Sequence, residues 1–401
     1  MNICIVTLPK ISPLNGGVEN VCYNLARHIA HSAKYKVYSL YAKPDEATAE
    51  LPEVTYHTLP SDYETGQLEH IDRLHQFILN EGIDILWVHT PIQKLSNLIY
   101  KASKNTGAKV VSIYHTAPTG ILSEIRDRHD LYLYRCRNYK EIIPYILLLL
   151  KLPLSYLNAY RKTRNNLQNM FRNSDIVSLL SERYIDEYMR LSGINDRSKL
   201  TYVTNPLITP ETFHGEFSDK KNQVLVVCRH EWKNKRLDRI LTIWHKMQHS
   251  FPNWRLVILG DGPAHQEYKA QAHRLDLQRI SFEGKQKPDS YYAESKIICM
   301  TSSWEGLPMV LLEAQRYGCV PIAYESFGAL RDIIIPGETG YCIPPFKQGE
   351  YIQALSMLMR DGELWKTLSQ NCRRHSEAFN ITSVAERWIQ LFQKLLLSPQ
   401  K

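Results

Sequence analysis

The sequence predicts an α/β protein made of two doubly wound parallel-sheet domains. Three observations support this fold class. The chain has 401 residues, which is long enough for two domains of ordinary size. Short apolar runs typical of buried strands alternate with helix-like stretches along the whole chain. A polar, turn-rich segment at residues 206–221 separates two such series, and we interpret it as a linker.

The first series defines a predicted N-terminal domain at residues 1–205. Its strand-like runs are NICIVTL, YKVYSLYA, DILWVHT, KVVSIYHT, SDIVSLLSE and KLTYVTNP, and helix-like stretches such as GVENVCYNLARHIAH lie between them. Alternation of this kind is typical of parallel sheets, because each crossover between strands needs a helix. The first run lacks the basic start and the long apolar core of a secretory signal, so we interpret it as the first strand.

The second series defines a predicted C-terminal domain at residues 222–378. Its strand-like runs are QVLVVCRHEW, WRLVILGDGP, RISFEG, KIICMTSS and CVPIAY. The final stretch, residues 379–401, contains SVAERWIQLFQKLLL, and we expect a helix there that crosses back to the N-terminal domain. Both predicted domains have the strand–helix alternation of a Rossmann-like fold.

Charge and cysteine content restrict the partners and the compartment. The formal charge is +8, from 49 Lys and Arg against 41 Asp and Glu, which favours phosphorylated ligands, nucleic acid or an anionic membrane. The eight cysteines are scattered without a CxxC pair, and several lie in apolar strand-like runs. This usage indicates free thiols in a reducing compartment, so we expect a cytoplasmic protein.

Residues 131–172 depart from the alternation. The segment holds eight basic residues and one acid, Glu141, together with many leucines and tyrosines. Its uninterrupted apolar run, IIPYILLLL, is too short to span a bilayer. We interpret the segment as a basic, apolar excursion that lies on an anionic membrane, at the inner face of the cytoplasmic membrane. The alternative is a helical excursion whose apolar side packs on the N-terminal domain.

Two glutamates make the C-terminal domain a candidate site. In TSSWEGLPMVLLEAQRYGCVPIA, Glu305 follows a strand-like run and Glu313 lies within the helix-like stretch 308–317. Pro308 suits the first helical turn, and Gly318 suits the position after the last. Loops at the carboxyl ends of parallel strands bind ligands in such sheets, so Glu305 is a candidate ligand-binding residue. Glu313 lies in an apolar helix, and a buried carboxylate without a partner is costly. Its carboxylate is therefore expected to bind either a ligand or an internal partner.

The N-terminal domain offers two glycines and a histidine. Gly16 and Gly17 join the first strand to the first helix, where backbone amides can approach an anion closely. They are not a dinucleotide fingerprint, which needs spaced glycines, and a tight turn is the alternative explanation. His115 ends a strand-like run and is expected to face the crevice, although a lone histidine is also commonly structural.

The C-terminal domain also offers two cations after its first strand. Arg229 and Lys235 are expected to bind a diphosphate, the arginine as a fork and the lysine as a point charge. The alternative is a solvated basic surface that includes Lys233 and Arg236. Together with carboxylates that accept hydrogen bonds from sugar and ribose hydroxyls, these cations describe a nucleotide-sugar site in a cleft shared by the two domains.

The chain resembles glycosyltransferase family 4, a group with the two-domain GT-B fold. EGLPMVLLE matches the E-x7-E motif of that family, and further matches are NGGVEN, YHT, SDIVSLLSE, TNP, LVILGDGP and the pair Arg229 and Lys235. The resemblance covers nearly the whole chain and is looser at residues 131–172. It departs from the family at Cys228 and Arg236, where glycine is usual.

The resemblance implies a role for each candidate residue. Glu313 would bind the ribose hydroxyls, and Glu305 would bind the hydroxyls of the donor sugar. Arg229 and Lys235 would bind the diphosphate, and His115 would lie beside the reacting sugar. The remaining residues, which would contact the phosphates through nearby backbone amides or line the base pocket, are Gly16, Gly17, Gly306, Leu307, Pro308, Met309, Gly284 and Lys285.

We therefore predict a retaining glycosyltransferase that uses a nucleotide-diphosphate sugar, a UDP-sugar, and a lipid-linked glycan acceptor in polysaccharide assembly. The sequence shows no obvious nucleophile, so the departing phosphate oxygen would take the acceptor's proton in a front-face attack. The chain has no D-x-D sequence, and we expect no obligatory metal and no cofactor. A nucleotide-sugar epimerase of the same fold is the alternative. A glycan phosphorylase would need a longer chain, and a nucleic-acid binder would need a recognisable binding module.

Overall fold

The protein is described here from a computed structural model, which covers residues 1–14, 17–32, 34–44, 50–60, 62–63, 67–89, 93–125, 139–208 and 220–397. The chain divides into two compact units. The first unit consists of Met1–Pro118, Arg161–Ile208 and Phe379–Lys401, and the second consists of Thr119–Tyr160 and Thr209–Ala378. Most of the predicted linker, residues 209–219, lies outside the described ranges.

The first unit contains a sheet of seven parallel strands. They are β1 (Asn2–Pro9), β2 (Lys36–Lys43), β3 (Val54–Thr58), β4 (Ile85–Val88), β5 (Lys109–Tyr114), β6 (Ile176–Leu179) and β7 (Leu200–Tyr202). Their order is β3-β2-β1-β4-β5-β6-β7, and every neighbouring pair is parallel. The central strands are buried on both faces, which explains why they read as continuous apolar runs.

Helices cover both faces of this sheet. The first five labelled helices are α1 (Gly17–His31), α2 (Leu68–Asn80), α3 (Gln93–Ala102), α4 (Tyr139–Asn173) and α5 (Arg183–Ser192). Residues 139–160 of α4 belong to the second unit. α1 to α3 and α5 each direct a row of buried side chains toward the sheet and leave a polar face in solvent. The first sheet is therefore doubly wound, as its sequence pattern predicts.

The second unit contains a sheet of six parallel strands. They are β8 (Lys221–Val227), β9 (Arg255–Leu259), β10 (Ile280–Gly284), β11 (Ser295–Met300), β12 (Val320–Tyr324) and β13 (Tyr341–Ile343), in the order β10-β9-β8-β11-β12-β13. The chain runs outward from β8 to β10 and then returns to the other side of β8 at β11. The strand order thus reverses between β8 and β11, and loops that follow strands at such a switch point flank a crevice.

Between β8 and Phe379, a stretch that the structure describes throughout, there are seven helices and a short 3-10 helix, and the 3-10 helix lies where the chain passes from the second unit to the first. They are α6 (Leu237–Met247), α7 (His265–Arg274), α8 (Asp289–Glu294), α9 (Met309–Arg316), α10 (Leu330–Ile333), α11 (Gln348–Arg360), α12 (Gly362–Ser376) and the 3-10 helix Glu377–Phe379. Pro308 immediately precedes α9 rather than lying in its first turn. Gly318 has the left-handed φ of 73°, and a Cβ there would lie 2.6 Å from Ser369 Oγ, so a glycine is required after this helix.

The last helix of the chain, α13 (Ile381–Leu397), belongs to the first unit. Its Trp388 and Phe392 pack on Trp87 of β4, with ring centroids 4.8 Å and 5.2 Å away. All three rings are buried. Burial of aromatic side chains of this size contributes several kcal/mol, about 1.5–3 kcal/mol each, so the helix is an integral part of the first unit.

Residues 119–160 fall in the second unit, whereas the sequence analysis places them in the domain 1–205. Residues 120–125 are helical, and Gly120 lies so close to Trp304 that a Cβ would be 2.9 Å from its ring. Glu124 also lies 3.8 Å from the ammonium of Lys233. These contacts join residues 119–125 to the second unit.

Helix α4 contains most of the basic, apolar excursion, of which residues 131–138 lie outside the described ranges. Six large apolar side chains on it are 40–70% exposed: Ile143, Ile146, Leu147, Leu150, Leu154 and Leu157. Their spacing follows the i, i+3, i+4, i+7 pattern of a single helix face. We call this row the apolar stripe of α4. Over the described part of the chain, none of the helices has the combination of length and hydropathy needed to cross a bilayer.

Candidate functional site

Two loops meet at the switch point of the second sheet. The loop at residues 228–236 follows β8, and the loop at residues 301–308 follows β11. The amide of Ser303 donates to the carbonyl of Asn234 at 2.7 Å, and Thr301 Oγ1 donates to the carbonyl of Arg236 at 3.0 Å. These bonds hold the two loops together at the position where parallel sheets bind ligands.

An ion pair joins the same two loops. Lys235 Nζ lies 2.8 Å from Glu305 Oε1 and 2.9 Å from Oε2, and the side chains are only 23% and 10% exposed. Burial opposes the charge of the Lys235 ammonium, but the adjacent Glu305 carboxylate outweighs burial and raises the pKa of Lys235. An ammonium has three donors, so two bonds to Glu305 leave one donor for an anion.

Arg229 precedes Lys235 on the loop that follows β8. Its Nε lies 2.9 Å from Glu231 Oε1, and its side chain is 67% exposed. The guanidinium is therefore accessible to an anionic ligand. The backbone before it is tightly packed, because a Cβ on Gly260 would lie 1.8 Å from the carbonyl oxygen of Cys228. Burial also raises the pKa of the Cys228 thiol to about 12, so this thiol is neutral at pH 7.

Arg236 adopts a conformation that explains the family's usual glycine. Its φ is +48° and its ψ is +49°, which is the left-handed region where glycine is favoured. The guanidinium makes two bonds of 3.0 Å to Asp238, and both side chains are 6% exposed. This buried bidentate pair offsets the cost of the backbone conformation, which is about 1–2 kcal/mol. The loop thus keeps the left-handed turn without the glycine.

Glu313 has a hydrogen-bond donor of its own. Tyr292, on α8, is fully buried and donates its hydroxyl to Glu313 Oε2 at 2.9 Å. Burial raises the pKa of Glu313, and the bond from Tyr292 opposes part of that rise. The carbonyl of Tyr292 accepts a bond of 2.6 Å from Lys220 Nζ, which fixes the backbone of α8. Among the described residues, the carboxylate is therefore held in place by a tyrosine and forms no ion pair.

The other predicted donor-binding residues of this unit lie around the same sheet end. Gly284 ends β10 with a left-handed φ of +69°, and its carbonyl accepts from the amide of Gly260 at 2.7 Å. Lys285 is exposed beside it. Leu307 and Pro308 are buried, whereas Gly306 and Met309, the first residue of α9, are partly exposed.

The first unit holds the remaining predicted site residues. Gly17 begins α1, and a Cβ there would have no atom within 4 Å among the described residues beyond its chain neighbours and its own helix. Gly16 lies outside the described residues. His115 Nε2 lies 3.0 Å from Nδ1 of His89, and the two rings are stacked. Burial lowers the pKa of His115 to about 4, so the ring is neutral at pH 7. Its Nδ1 is buried and has no hydrogen-bond partner among the described residues.

Sequence reasoning treats Lys235 and Glu305 as separate ligand contacts, whereas they bind each other. It also misses Tyr292 and His89, whose only sequence signal is a position near a strand end or on a short helix. Asn234 and Ser303 are further polar residues of the loop pair. Within the described ranges, Asn234 Oδ1 and Ser303 Oγ are buried without a hydrogen-bond partner, although the backbones of these two residues are bonded to each other.

Two family models match consecutive parts of the chain. The model described as glycosyltransferase family 4 matches residues 15–209. The model described as glycosyl transferases group 1 matches residues 209–375. The second match contains both loops of the switch point and the helix of Glu313.

Two curated relatives illustrate the likeness in sequence. Amylovoran biosynthesis glycosyltransferase AmsD of Erwinia amylovora is 30% identical over 178 residues, which are 44% of this chain and 49% of AmsD. The GalNAc-alpha-(1->4)-GalNAc-alpha-(1->3)-diNAcBac-PP-undecaprenol alpha-1,4-N-acetyl-D-galactosaminyltransferase of Campylobacter jejuni is 25% identical over 195 residues, which are 47% of this chain and 54% of that protein. The chain spans about half the length of the curated relatives it matches.

A solved structure illustrates the likeness in fold. Anabaena HepE in complex with UDP and glucose has a TM-score of 0.68 and 16% identity, and the match covers 98% of this chain and 100% of HepE. At this identity the likeness shows the fold alone. The predicted fold class, GT-B with two Rossmann-like doubly wound domains, is confirmed.

Proposed function

Because the chain belongs to glycosyltransferase family 4, we propose that it transfers a sugar from a nucleotide-diphosphate sugar to a glycan acceptor with retention of anomeric configuration. The family predicted from the sequence is thus confirmed. The observation that carries the proposed activity is the buried Lys235–Glu305 pair at the switch point of the second sheet, with the accessible guanidinium of Arg229 on the same loop.

In the proposed reaction the developing negative charge is on the leaving diphosphate. Arg229 binds the diphosphate through the exposed donors of its guanidinium. Lys235 donates its remaining N–H to the diphosphate, because its other two N–H groups donate to Glu305. Glu305 keeps the ammonium charged and accepts bonds from hydroxyls of the donor sugar. The departing phosphate oxygen takes the proton of the attacking acceptor hydroxyl as the C1–O bond to phosphate breaks and the new glycosidic bond forms.

We propose UDP as the nucleotide of the donor. HepE, which shares the fold, is solved with UDP and glucose, and this supports the choice. Glu313 is proposed to accept hydrogen bonds from both ribose hydroxyls, because its carboxylate is held by Tyr292 without a cationic partner in the bonds described above. Gly284 and Lys285 are proposed to line the base pocket, and His115 to act beside the reacting sugar.

We propose a lipid-linked glycan acceptor at an anionic membrane surface. The Campylobacter jejuni relative is named for an undecaprenol-linked acceptor, which supports this class. The apolar stripe of α4 extends over 14 residue steps, or about 21 Å. Lys151, Arg161, Lys162 and Arg164 lie on the same helix, beside or beyond the stripe. Exposed leucines with cations nearby are typical of helices that lie on anionic membranes.

Membrane binding can be tested by vesicle co-sedimentation. We expect binding to vesicles that contain phosphatidylglycerol, weaker binding to pure phosphatidylcholine, and a loss of about tenfold in affinity for Leu150→Ser with Leu154→Ser. Tyr156→Ser is the matched control, because Tyr156 is 43% exposed on the same helix and lies outside the apolar stripe. Equal binding of all three proteins would contradict a membrane role of the stripe.

The activity itself is tested by product analysis. The protein is incubated with UDP-sugars and polyprenyl-diphosphate-linked saccharides, and the new linkage is examined by NMR. An α-linked product from an α-linked donor supports retention, and an inverted product contradicts it. Conversion of the UDP-sugar to its epimer without any acceptor would favour the alternative, a nucleotide-sugar epimerase. Glu305→Gln is expected to lower the transfer rate at least tenfold.

A further inference from the structure

Two histidines and an aspartate meet at the carboxyl end of the second sheet, beside the loop of Arg229. His230 follows β8, Asp261 follows β9, and His265 is the first residue of α7. One ligand atom from each of these three residues lies within 4.8 Å of the other two. His230 Nδ1 is 2.9 Å from His265 Nδ1, and His265 Nδ1 is 3.5 Å from Asp261 Oδ1. No donor-binding role is assigned to any of the three.

These separations fit a tetrahedral metal site. Zn²⁺ binds imidazole nitrogen and carboxylate oxygen at about 2.0–2.2 Å, which places neighbouring ligand atoms about 3.3–3.5 Å apart. The distance of 3.5 Å between His265 Nδ1 and Asp261 Oδ1 lies in this range. The Nδ1 atoms of His230 and His265 are 2.9 Å apart and need to separate by only a few tenths of an ångström to reach it. The Asp261 side chain is 63% exposed, and its Oδ1 accepts from the amide of Gly262 at 2.7 Å, which holds this oxygen near His265.

The backbone holds these residues in place before any ion binds. The amide of His230 donates to the carbonyl of Asp261 at 2.9 Å, and the amide of Ala264 donates to the carbonyl of His230 at 3.0 Å. A Cβ on Gly262 would lie 2.6 Å from that His230 carbonyl oxygen, so the close approach of the two loops needs a glycine. A ligand set fixed in this way loses little conformational entropy when it binds a metal.

We propose that His230, Asp261 and His265 bind a divalent transition-metal ion of the Zn²⁺ type. Two imidazoles and one carboxylate favour Zn²⁺, Co²⁺ or Ni²⁺ over Mg²⁺, which prefers oxygen ligands and retains its waters. The fourth position is left for water or an anion. The ion links the loop that carries Arg229 to the start of α7, and it stabilises the folded second unit. It has no assigned step in sugar transfer, so the proposal is independent of the proposed function.

The test is metal titration of the full chain after treatment with EDTA. Calorimetry is expected to give one Zn²⁺ per chain, and thermal melting is expected to rise by about 5 °C at a Zn²⁺ concentration 100-fold above the dissociation constant. Mg²⁺ at the same concentration is expected to have no such effect. His265→Ala and Asp261→Asn are expected to weaken Zn²⁺ binding at least tenfold and to abolish the thermal shift.

The matched control is His273→Ala, an exposed histidine in the last turn of the same helix. This variant is expected to bind Zn²⁺ as the wild type does. Asp261 is exposed, so Asp261→Asn tests the proposal even if His265→Ala fails to fold. Co²⁺ absorption distinguishes the site from cysteine ligands, because thiolate ligation adds a charge-transfer band. Absence of Zn²⁺ binding, undiminished binding in Asp261→Asn, or a thiolate band would each overturn the proposal.

Discussion

Replacement of Glu313 by glutamine is predicted to separate nucleotide binding from folding stability. The Glu313 carboxylate accepts a bond of 2.9 Å from Tyr292, and burial raises its pKa. Glutamine keeps the size of the side chain and an oxygen that accepts from the tyrosine, but it carries no charge. The variant therefore removes the cost of a buried charge while it leaves the packing of α9 unchanged.

The sign of the stability change follows from the direction of the pKa shift. The folded pKa of Glu313 lies above its unfolded value of 4.5, so the folded state holds this proton more tightly. Ionisation of Glu313 therefore opposes folding as the pH rises above 4.5, by about 1.4 kcal/mol for each unit of pKa difference. At pH 7 we expect Glu313→Gln to have a free energy of unfolding equal to or above that of the wild type. This advantage is expected to fade at pH 4.

Nucleotide affinity is expected to change in the opposite direction. Hydrogen bonds to a charged group contribute about 1.5–3 kcal/mol each, and the neutral amide provides a weaker acceptor to the ribose. We expect the dissociation constant for UDP to rise about 10- to 100-fold. Urea denaturation and calorimetry measure the two effects separately.

Asp289→Asn is the matched control, because Asp289 accepts a bond of 2.7 Å from Tyr317 in the same region. This variant is expected to bind UDP with wild-type affinity. Wild-type UDP affinity in Glu313→Gln would refute the ribose role. A lower free energy of unfolding for Glu313→Gln at pH 7 would refute the argument from burial.

Three further predictions concern stability. Lys235→Met leaves a buried carboxylate without its cation, so urea denaturation should show a loss of about 3–5 kcal/mol, and a loss below 1 kcal/mol would be inconsistent with the pair. Gly260→Ala places a Cβ 1.8 Å from a backbone oxygen, so the same assay should show a free energy of unfolding lower by more than about 3 kcal/mol. Gly349→Ala is the control. This glycine lies in α11 with open space around it, so the substitution should raise the free energy of unfolding by up to about 1 kcal/mol. His115 has its pKa lowered from 6.5 to about 4, so the wild type should lose stability on the order of 3 kcal/mol as the pH falls through this window. His115→Gln should lose less, and equal losses would contradict the shift.

The alternation of apolar runs and helix-like stretches predicted the strands of both sheets except the edge strands β3 and β13, which are short and only partly buried. The reason is that strands buried on both faces give continuous apolar runs, and β1, β4, β8 and β11 all follow this rule. The end of α9 was also predictable, because only glycine readily takes the left-handed conformation that follows it. Local rules of this kind depend on neighbours in sequence.

The pairing of Lys235 with Glu305 was not predictable in the same way. The two residues are 70 positions apart, and they meet only because β8 and β11 are neighbours in the sheet. Hydrophobic periodicity does not specify which strands are neighbours in a sheet. Likewise, an arginine at position 236 does not by itself indicate a positive φ. The signal is the glycine that is usual in the family at this position, and Arg236 replaces it because of the buried bond to Asp238.

The predicted contact of α4 with a membrane, the roles of the donor-binding residues and the absence of an obligatory metal stay predictions. For α4 the structure adds the geometry of the exposed stripe, which the alternation of leucines and tyrosines in the sequence only suggested. From the sequence alone, a row of apolar residues could contact either a membrane or another protein. The basic residues around the stripe favour the membrane.

The most direct test of the central claim is the affinity of UMP and UDP for the wild type and for Arg229→Gln, measured by calorimetry. We propose that Arg229 and Lys235 bind the diphosphate of the donor. The account predicts that the wild type binds UDP at least tenfold more tightly than UMP and that Arg229→Gln removes most of this difference while UMP affinity stays unchanged. An unchanged ratio of the two affinities in the variant would contradict the assignment of the diphosphate to this loop.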